Sequence, residues 1–336
     1  MTAASLIKPA YQNGLQPVDL GRHLGGIANL IELCFGAELD AGGRGLIREM
    51  QLLSRAGPAL GLLSRLMPGR QPWNIGYVWV EDGRVVGSVS TQPAATRSSA
   101  WLVANVAVHP DYRRRGIAAA LMRATLDMLR SRGAAEAILQ VDDDNLGAVA
   151  LYRNLGFGRV ATQTTWARPG YNAPPPFTAS AFDIRLRQPR EWAEELALAR
   201  LVRPAGLLWA QPLSAGDFRH GLQKQLAHFL SGQTDEHWLV SDPLYPNLPA
   251  GAGHLAGALI LSMGGLDGDR LHLLVHPRYQ GQLERPLVGR ALRRLGRRPA
   301  PARLEYDSDD AAATQVLTDL GFQARRVLRW MRIDIR

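Results

Sequence analysis

The stretch Val106-Ala107-Val108-His109-Pro110-Asp111-Tyr112-Arg113-Arg114-Arg115-Gly116-Ile117-Ala118-Ala119 carries a strand, a basic turn and the opening of a helix in immediate succession. The apolar run stops at a proline. From Gly116 to Arg132 the apolar residues recur at helical spacing until Gly133 ends them. Backbone N–H groups gathered at a helix N-terminus, with small residues that permit close approach, form a ready site for a phosphate or pyrophosphate. Arginines beside such a turn add charge-assisted hydrogen bonds. Taken alone, the arginine triplet reads as an exposed basic turn that starts a helix.

Outward from this stretch the periodicity alternates between strand and helix. Asp19 to Phe35 and Leu46 to Leu66 read as helices, and Tyr77 to Val80 and Arg84 to Ser90 flank Glu81-Asp82-Gly83 as a hairpin. Trp101 to Val108 is the strand that enters the turn. Beyond the helix come a strand at Ala137 to Val141, a short helix at Leu146 to Leu155 stopped by Gly156, and a strand at Gly158 to Trp166. With Leu6 to Tyr11 as a first strand the order is β, α, α, β, β, β, α, β, α, β.

The chain then repeats itself. Val108-His109-Pro110-Asp111-Tyr112 returns as Val275-His276-Pro277-Arg278-Tyr279, and Arg123-Ala124 as Arg290-Ala291, both 167 positions on. Leu155-Gly156-Phe157 returns as Leu320-Gly321-Phe322 at 165, with Asp142, Asp144 and Ala148 matched by Asp307, Asp309 and Ala313. Phe182 to Arg187, helices before Ser214 and through Leu230, and strands near Trp238, Leu259 and Leu273 repeat the element order. Arg168 to Ser180, with Pro174-Pro175-Pro176, reads as a stiff linker. The expected domains are residues 1–168, a linker at 169–180, and residues 181–336.

Composition narrows the class. With 46% hydrophobic and 21% charged residues, 336 residues make a globular protein with room for two cores. The net charge is +9, but lysine occurs only at Lys8 and Lys224, so the excess is arginine, which fits a codon habit better than selection for nucleic acid. The single cysteine, Cys34, excludes an internal disulfide and a cysteine-cluster zinc site and reads as a buried packing residue. The longest apolar stretch, Leu255 to Met263, is too short for a membrane span, so a cytoplasmic protein without a membrane partner is expected. No HExxH, GxSxG or phosphate-loop motif is present.

A second group of residues joins the basic turn. Asn145, Ala148 and Tyr152 are three and four apart and share one face of the short helix. Singly, Asn145 reads as a helix cap and Tyr152 as a core aromatic. Jointly, they offer an amide partner, a gap and a phenol to an extended ligand. The segment from Val106 to Phe157 thereby resembles the GCN5-related N-acetyltransferase (GNAT) family. Its pattern Gln/Arg-x-x-Gly-x-Gly/Ala is met by Arg113, Gly116 and Ala118. Its later pattern Asn-x-x-Ala-x-x-x-Tyr-x-x-x-Gly-Phe is met by Asn145, Ala148, Tyr152, Gly156 and Phe157.

The resemblance implies an α/β (α+β) architecture of two tandem acyl-CoA N-acyltransferase folds, each a mixed, mostly antiparallel sheet flanked by helices. It implies a site for acetyl-CoA as co-substrate. The backbone of Arg114, Arg115, Gly116, Ile117, Ala118 and Ala119 would cradle the pyrophosphate, and Val106, Ala107 and Val108 would pair with the pantetheine arm. An amine acceptor would attack the thioester carbonyl, the N–H of Val108 would hold the oxyanion, and Tyr152 would protonate the departing thiolate.

The sequence supplies no obvious base, because Trp101-Leu102-Val103-Ala104-Asn105 lacks the carboxylate that many family members place there. Glu32, Glu38, Asp40, a water relay or an amine arriving neutral are the alternatives. Asp142-Asp143-Asp144 reads as helix-capping carboxylates and not a metal site, and His109 as a turn residue. Trp73, Trp79, Trp101 and Trp166 read mostly as core, with the wall of an acceptor pocket as the other role.

In the second copy, Gln280, Leu283 and Arg285 fall at Arg113, Gly116 and Ala118 by the 167 spacing, and Asp310 and Leu317 at Asn145 and Tyr152 by the 165 spacing. Loss of the pyrophosphate loop is expected there. Two competing functions remain: a non-catalytic acyl-CoA-binding or sensor protein, and a nucleic-acid binder using Arg290, Arg293, Arg294, Arg297 and Arg298. Those arginines cover several faces of one helix, which reads as a solvated helix.

Overall fold

The computed structural model describes residues 12–36, 41–55, 75–94, 97–176, 180–204, 206–210, 212–219, 232–244, 254–264, 268–307 and 310–335. Two compact units emerge, unit 1 being residues 1–140, 150–158 and 332–336, and unit 2 residues 141–149 and 159–331.

Unit 1 contains β1 (Gly14–Pro17), α1 (Leu20–Phe35), α2 (Ala41–Ser54), β2 (Ile75–Glu81), β3 (Arg84–Ala94), β4 (Arg97–Val108), α3 (Ile117–Ser131), most of β5 (Glu136–Asp142) and the later part of α4 (Leu146–Asn154). Its strand order is β1-β2-β3-β4-β5, antiparallel throughout except for the parallel pair β4/β5. Leu20, Leu24, Ala28 and Ile31 recur at helical spacing on α1 and bury against Ile47 and Met50 of α2. Between β2 and β3, Asp82 (φ +48) and Gly83 (φ +75) form the two-residue turn whose twist suits a hairpin. Near the end of the chain, Ile335 N donates to Ala135 O at 2.8 Å.

Unit 2 contains β6 (Gly158–Arg168) from Arg159 on, β7 (Ile184–Leu186), α5 (Trp192–Val202), α6 (Ala215–Phe218), β8 (Thr234–Ser241), β9 (Leu255–Met263), β10 (Asp269–Val275), α7 (Glu284–Leu295), β11 (Ala302–Asp307), α8 (Ala311–Asp319) and β12 (Gln323–Asp334) up to Met331. Here the order is β12-β6-β11-β10-β9-β8-β7, with β10/β11 as a parallel pair. β6 ends the first sequence copy, yet it pairs antiparallel with β11 of the second, from Ala302↔Arg168 to Asp307↔Gln163. Sequence copy and compact unit are therefore different divisions of the chain.

The element order from α1 to β6 recurs from α5 to β12. The repeated Val-His-Pro-x-Tyr segment forms the same turn twice. His109 Nδ1 accepts Asp111 N at 3.3 Å and His276 Nδ1 accepts Arg278 N at 3.2 Å, each capping one turn of 3-10 helix. Three expectations change. Leu6 to Tyr11 lies outside the described residues, and the strand at this edge is β1. α2 begins earlier than expected, and the part of Leu46 to Leu66 past residue 55 lies outside the described residues. Cys34 is half-buried, with Sγ 3.6 Å from Val108 O, because the thiol reaches a strand end instead of the core. No helix among the described residues is long and apolar enough to cross a membrane.

α3 lies against β3 at Gly87, where an added Cβ would meet Ile117 Cγ2 at 2.8 Å, Leu121 Cδ1 at 3.0 Å and Trp79 Cβ at 3.2 Å. Gly257 makes the same approach to Leu283 and Leu287 of unit 2. Overpacking such a contact costs about 1–3 kcal/mol. Gly87→Val is expected to lower the urea midpoint accordingly and Ile117→Ala in the same chain to restore part of it; an unchanged midpoint in the single variant would show that the helix can move away freely.

Candidate active site

β4 and β5 pair only from Ala100↔Glu136 to Val103↔Leu139, although β4 continues to Val108 and β5 to Asp142. Just beyond the last pair, Ser90 faces Ala104 and Ser88 faces Ala107, so Asn105 and Val106 stand opposite Val89 alone. This is a β-bulge, which re-aims the strand after it. Asn105 takes φ +53; its Nδ2 donates to Ser90 Oγ at 2.8 Å, and Ser88 Oγ donates to its carbonyl at 3.2 Å. Past the bulge, His109 N donates to Val86 O at 2.8 Å. Bonded pairs alternate along an antiparallel ladder, so the N–H and C=O of Val108 point away from β3. Val106, two residues earlier, faces the same way. The Val108 carbonyl is met by Arg113 Nε at 3.2 Å and by the Cys34 thiol, which leaves its N–H directed to the side where β5 has parted.

The turn that follows is held from within. Arg113 N bonds Pro110 O at 3.2 Å, Arg114 takes φ +64, and Gly116 takes φ +79 as the N-cap of α3. The first helical bond is Ala120 N to Gly116 O at 3.0 Å, so the amides of Ile117, Ala118 and Ala119 have no carbonyl one turn back. A Cβ added at Gly116 would meet nothing within 4 Å, so the space over the loop is open. The arginines divide. Arg113 is tied to Val108; Arg115 donates to Asp111 O at 3.0 Å and lies 4.8 Å over the Tyr112 ring. Only Arg114 of the three makes no hydrogen bond or ion pair among the described residues.

On α4, Asn145 Oδ1 accepts Ala148 N at 3.1 Å, so this residue caps the helix. Asn145 and Ala148 belong to the segment counted with unit 2, while Tyr152, on the same helix, is counted with unit 1. Tyr152 is buried, and its ring meets Phe157 edge-on at 6.0 Å. Burial pushes its phenol up to about 12, and the hydroxyl has no hydrogen-bond partner among the described residues.

Other candidates fall to structural roles. Arg326 takes Asp142 with two bonds of 2.6 and 2.9 Å, Arg329 Nε takes Asp143 at 2.7 Å, and no metal-binding cluster occurs among the described residues. Glu32 is exposed and accepts Gln51 Nε2 at 2.8 Å; Glu38, Asp40 and Trp73 lie outside the described residues. Trp101 and Trp166 are core, and Trp79 Nε1 donates to Glu81. On and after α7, Arg290 lies over Trp238, Arg294 bonds Glu236 and Arg298 bonds Asp269. The sequence reading missed Asn105, whose only signal is a polar residue within an otherwise apolar strand.

Residues 54–157 match the profile of the "Acetyltransferase (GNAT) family". The match covers less than a third of the chain. Similar proteins include N-alpha-acetyltransferase 30 of Schizosaccharomyces pombe, 34% identical over 85 residues, which are 25% of this chain and 57% of that one. The [Ribosomal protein bS18]-alanine N-acetyltransferase of Escherichia coli K12 is 30% identical over 92 residues, 27% of this chain and 60% of that one. The chain thus spans less than two thirds of either relative. Across the whole fold, a tandem GNAT protein from the clavulanic acid biosynthesis pathway, solved without AcCoA, superposes with a TM-score of 0.52 at 17% identity, covering 97% of this chain and 99% of that one.

Seen as a tandem GNAT fold, the second copy is registered by its buried face. Ile117, Leu121, Met122, Thr125, Leu126 and Leu129 of α3 correspond to buried Leu283, Leu287, Val288, Ala291, Leu292 and Leu295, all 166 apart. This corrects the 167 spacing through the helix. The loop after Tyr279 is one residue shorter, Leu283 replaces Ile117 in the core, and Glu284, not Arg285, stands at Ala118. Glu284 is fully buried; Tyr306 donates to its Oε1 at 3.3 Å, and its Oε2 has no partner among the described residues. Burial pushes its carboxyl up, the amides of Glu284 and Gly281 pull it back, and Asp310 pushes it further up. Asp310 caps α8 as Asn145 caps α4, accepting Ala313 N at 2.9 Å, and Leu317 fills the place of Tyr152.

Because the folded state holds the Glu284 proton above the ordinary 4.5, its contribution to stability is complete below that pH and declines as pH rises through the folded value. Glu284→Gln keeps the shape without a proton to lose. It is expected to raise Tm at pH 8 and leave it unchanged at pH 4, whereas an equal loss at both pH values would rule out a strained carboxyl.

Proposed function

We propose that the chain is an N-acetyltransferase that binds acetyl-CoA at the parting of β4 and β5 and delivers the acetyl group to a primary amine. The observation that carries this is the adjacency, in unit 1, of strand amides turned from β3 at Val106 and Val108 and uncommitted amides at the start of α3. The first suit an extended amide-bearing arm. The second, with the Arg114 charge and the open space over Gly116, suit a pyrophosphate. Residues 1–168 form the catalytic copy, 169–180 the linker, and 181–336 a copy whose shortened loop and buried Glu284 leave no place for the pyrophosphate. The protein would act in the cytoplasm.

In the reaction the amine nitrogen bonds the acetyl carbon and the carbon–sulfur bond breaks. Val108 N–H stabilises the oxyanion between these events. Tyr152 gives its proton to the leaving thiolate, and the attacking amine loses one to solvent or to an acceptor-side base. With the phenol near 12 and a free thiol near 8.5, that transfer is uphill by about 5 kcal/mol. Burial raises a thiolate's proton affinity as well, which narrows the gap once the sulfur sits beside the ring. Both relatives bear names of protein N-acetyltransferases, so peptides with free α-amines are the first acceptors to screen.

Two variants test the assignment. Tyr152→Phe is expected to bind acetyl-CoA as the parent does, measured by calorimetry, and to lose about 100-fold to 10,000-fold in kcat; parental turnover would remove Tyr152 from the chemistry. A phenol held near 12 also predicts no alkaline limb from this group below about pH 11. Gly116→Val forces a branched residue into φ +79 and fills the space over the loop, and should weaken acetyl-CoA binding about tenfold or more with the fold intact. Tight acetyl-CoA binding without transfer to any amine would instead identify a binding or sensor protein.

A further inference from the structure

Unit 2 has a parting of its own, and it encloses a cavity that the chemistry of unit 1 does not use. β10 and β11 pair only from Asp269↔Ala302 to Leu271↔Leu304, although they run on to Val275 and Asp307. The gap holds a cavity of about 130 Å³ lined by β10 from His272 to Val275, the end of α5 at Val202 and Arg203, Leu207, and Trp330 of β12. Unlike β4, β10 has no bulge: its register with β9 is unbroken from Arg270↔Ser262 to Val275↔Gly257.

The side chains around this space are sorted by the strand alternation. Leu271, Leu273 and Val275 pack with α7, and Leu274 packs with Leu196, Leu198 and Ala199 of α5, so His272 points to the α5 side. There it stands in one row with Ile260 and His237 across β10, β9 and β8. Behind the row, Glu195 is fully buried, with His237 Nδ1 at 2.8 Å and Arg187 at 3.4 Å, so its charge is already met. His272 is solvent-accessible and lines the cavity. Burial and the Arg203 charge favour its neutral form. Arg203 is a desolvated cation with Asp217 as an electrostatic neighbour, and a guanidinium has donors enough for a second acceptor. Trp330 is buried, and its indole N–H has no partner among the described residues. The one carboxylate in the lining, Glu305, is exposed and already accepts Gln163 Nε2 at 3.3 Å, which places it at the mouth.

We propose that this cavity is a second binding site, in the half without a pyrophosphate loop, for a small monocarboxylate whose charged end meets Arg203 and His272 and whose apolar end lies against Val202, Leu207 and Leu274. Its size decides the ligand class. A cavity near 150 Å³ takes benzene, so about six to eight heavy atoms fit here, which is far less than an acyl-CoA. Arg203 lies near enough for its charge to act on His272, and a cation in the lining selects an anion over an amine. The inference assumes nothing about catalysis in unit 1.

Butyrate is the probe, added to the full-length ¹⁵N-labelled chain, with the Trp330 indole resonance identified by its loss in Trp330→Phe. Butyrate should shift that resonance saturably, while butyramide of the same shape and sodium chloride at equal ionic strength should not. Arg203→Gln and His272→Phe should each weaken the butyrate response about tenfold or more. Should Arg203→Gln fail to fold, His272→Phe decides alone, since its side chain faces the cavity and not the core. No saturable shift, an equal response to butyramide, or undiminished binding in the folded variants would overturn the proposal.

Discussion

Four residue pairs hold β4 to β5, and the organisation of unit 1 depends on their ending at Val103↔Leu139. Were the parallel ladder to continue, the amides of Val106 and Val108 would be taken by β5 and the strand end would be closed. The bulge at Asn105 prevents this by adding one residue on β4, which turns the strand before it reaches the basic loop. Freeing a strand end leaves its carbonyls to be satisfied by other means. Arg113 and Cys34 do so at Val108, which is why the first arginine of the triplet points back into the fold. The positive φ values at Arg114 and Gly116 follow from the sharp return needed to start α3 against Gly87.

Much of this was legible from sequence because it rests on local rules. The hairpin at Asp82-Gly83 requires two residues of positive φ, helix α3 carries a strict apolar face, and the Val-His-Pro-x-Tyr repeat encodes a self-capped turn that forms identically in both copies. The bulge was not legible, since one polar residue, Asn105, within an otherwise apolar strand does not announce an insertion, and an inserted residue leaves no mark on composition. The single-residue shortening after Tyr279 was masked as well. Arg290-Ala291 repeats Arg123-Ala124 at the spacing of the turn, but six buried positions on the helix agree on a spacing one smaller. Packing of a whole face outweighs a dipeptide match.

The placement of the last strands also escaped local reasoning. β6 supplies a full antiparallel partner to β11, and Arg168 at its end is buried, donating from Nε to Leu320 O at 2.8 Å and from its guanidinium to Ala173 O at 2.6 Å. The proline-rich segment therefore starts from carbonyls fixed by a buried cation, which limits how far it can act as a loose tether. Conversely, Arg332 to Arg336 completes unit 1, where Ile333 packs near Gly156. A repeat whose final strand lies in the other unit cannot bury its own sheet edge, and an unpaired edge is a liability for aggregation.

The two copies show one electrostatic problem with two solutions. The start of a helix presents N–H groups and a partial positive charge that must face water, a ligand or an acidic side chain. At α3, small residues keep those groups open, as an anion site requires. At α7 the shortened loop draws the helix start into the core, and the buried carboxyl of Glu284, pushed toward its protonated form, meets the amides of Glu284 and Gly281 from within the chain. The carboxyl thereby takes up amides of the kind that stay open at the start of α3. In unit 2 the parting of β10 and β11 carries no bulge and leaves a small cavity.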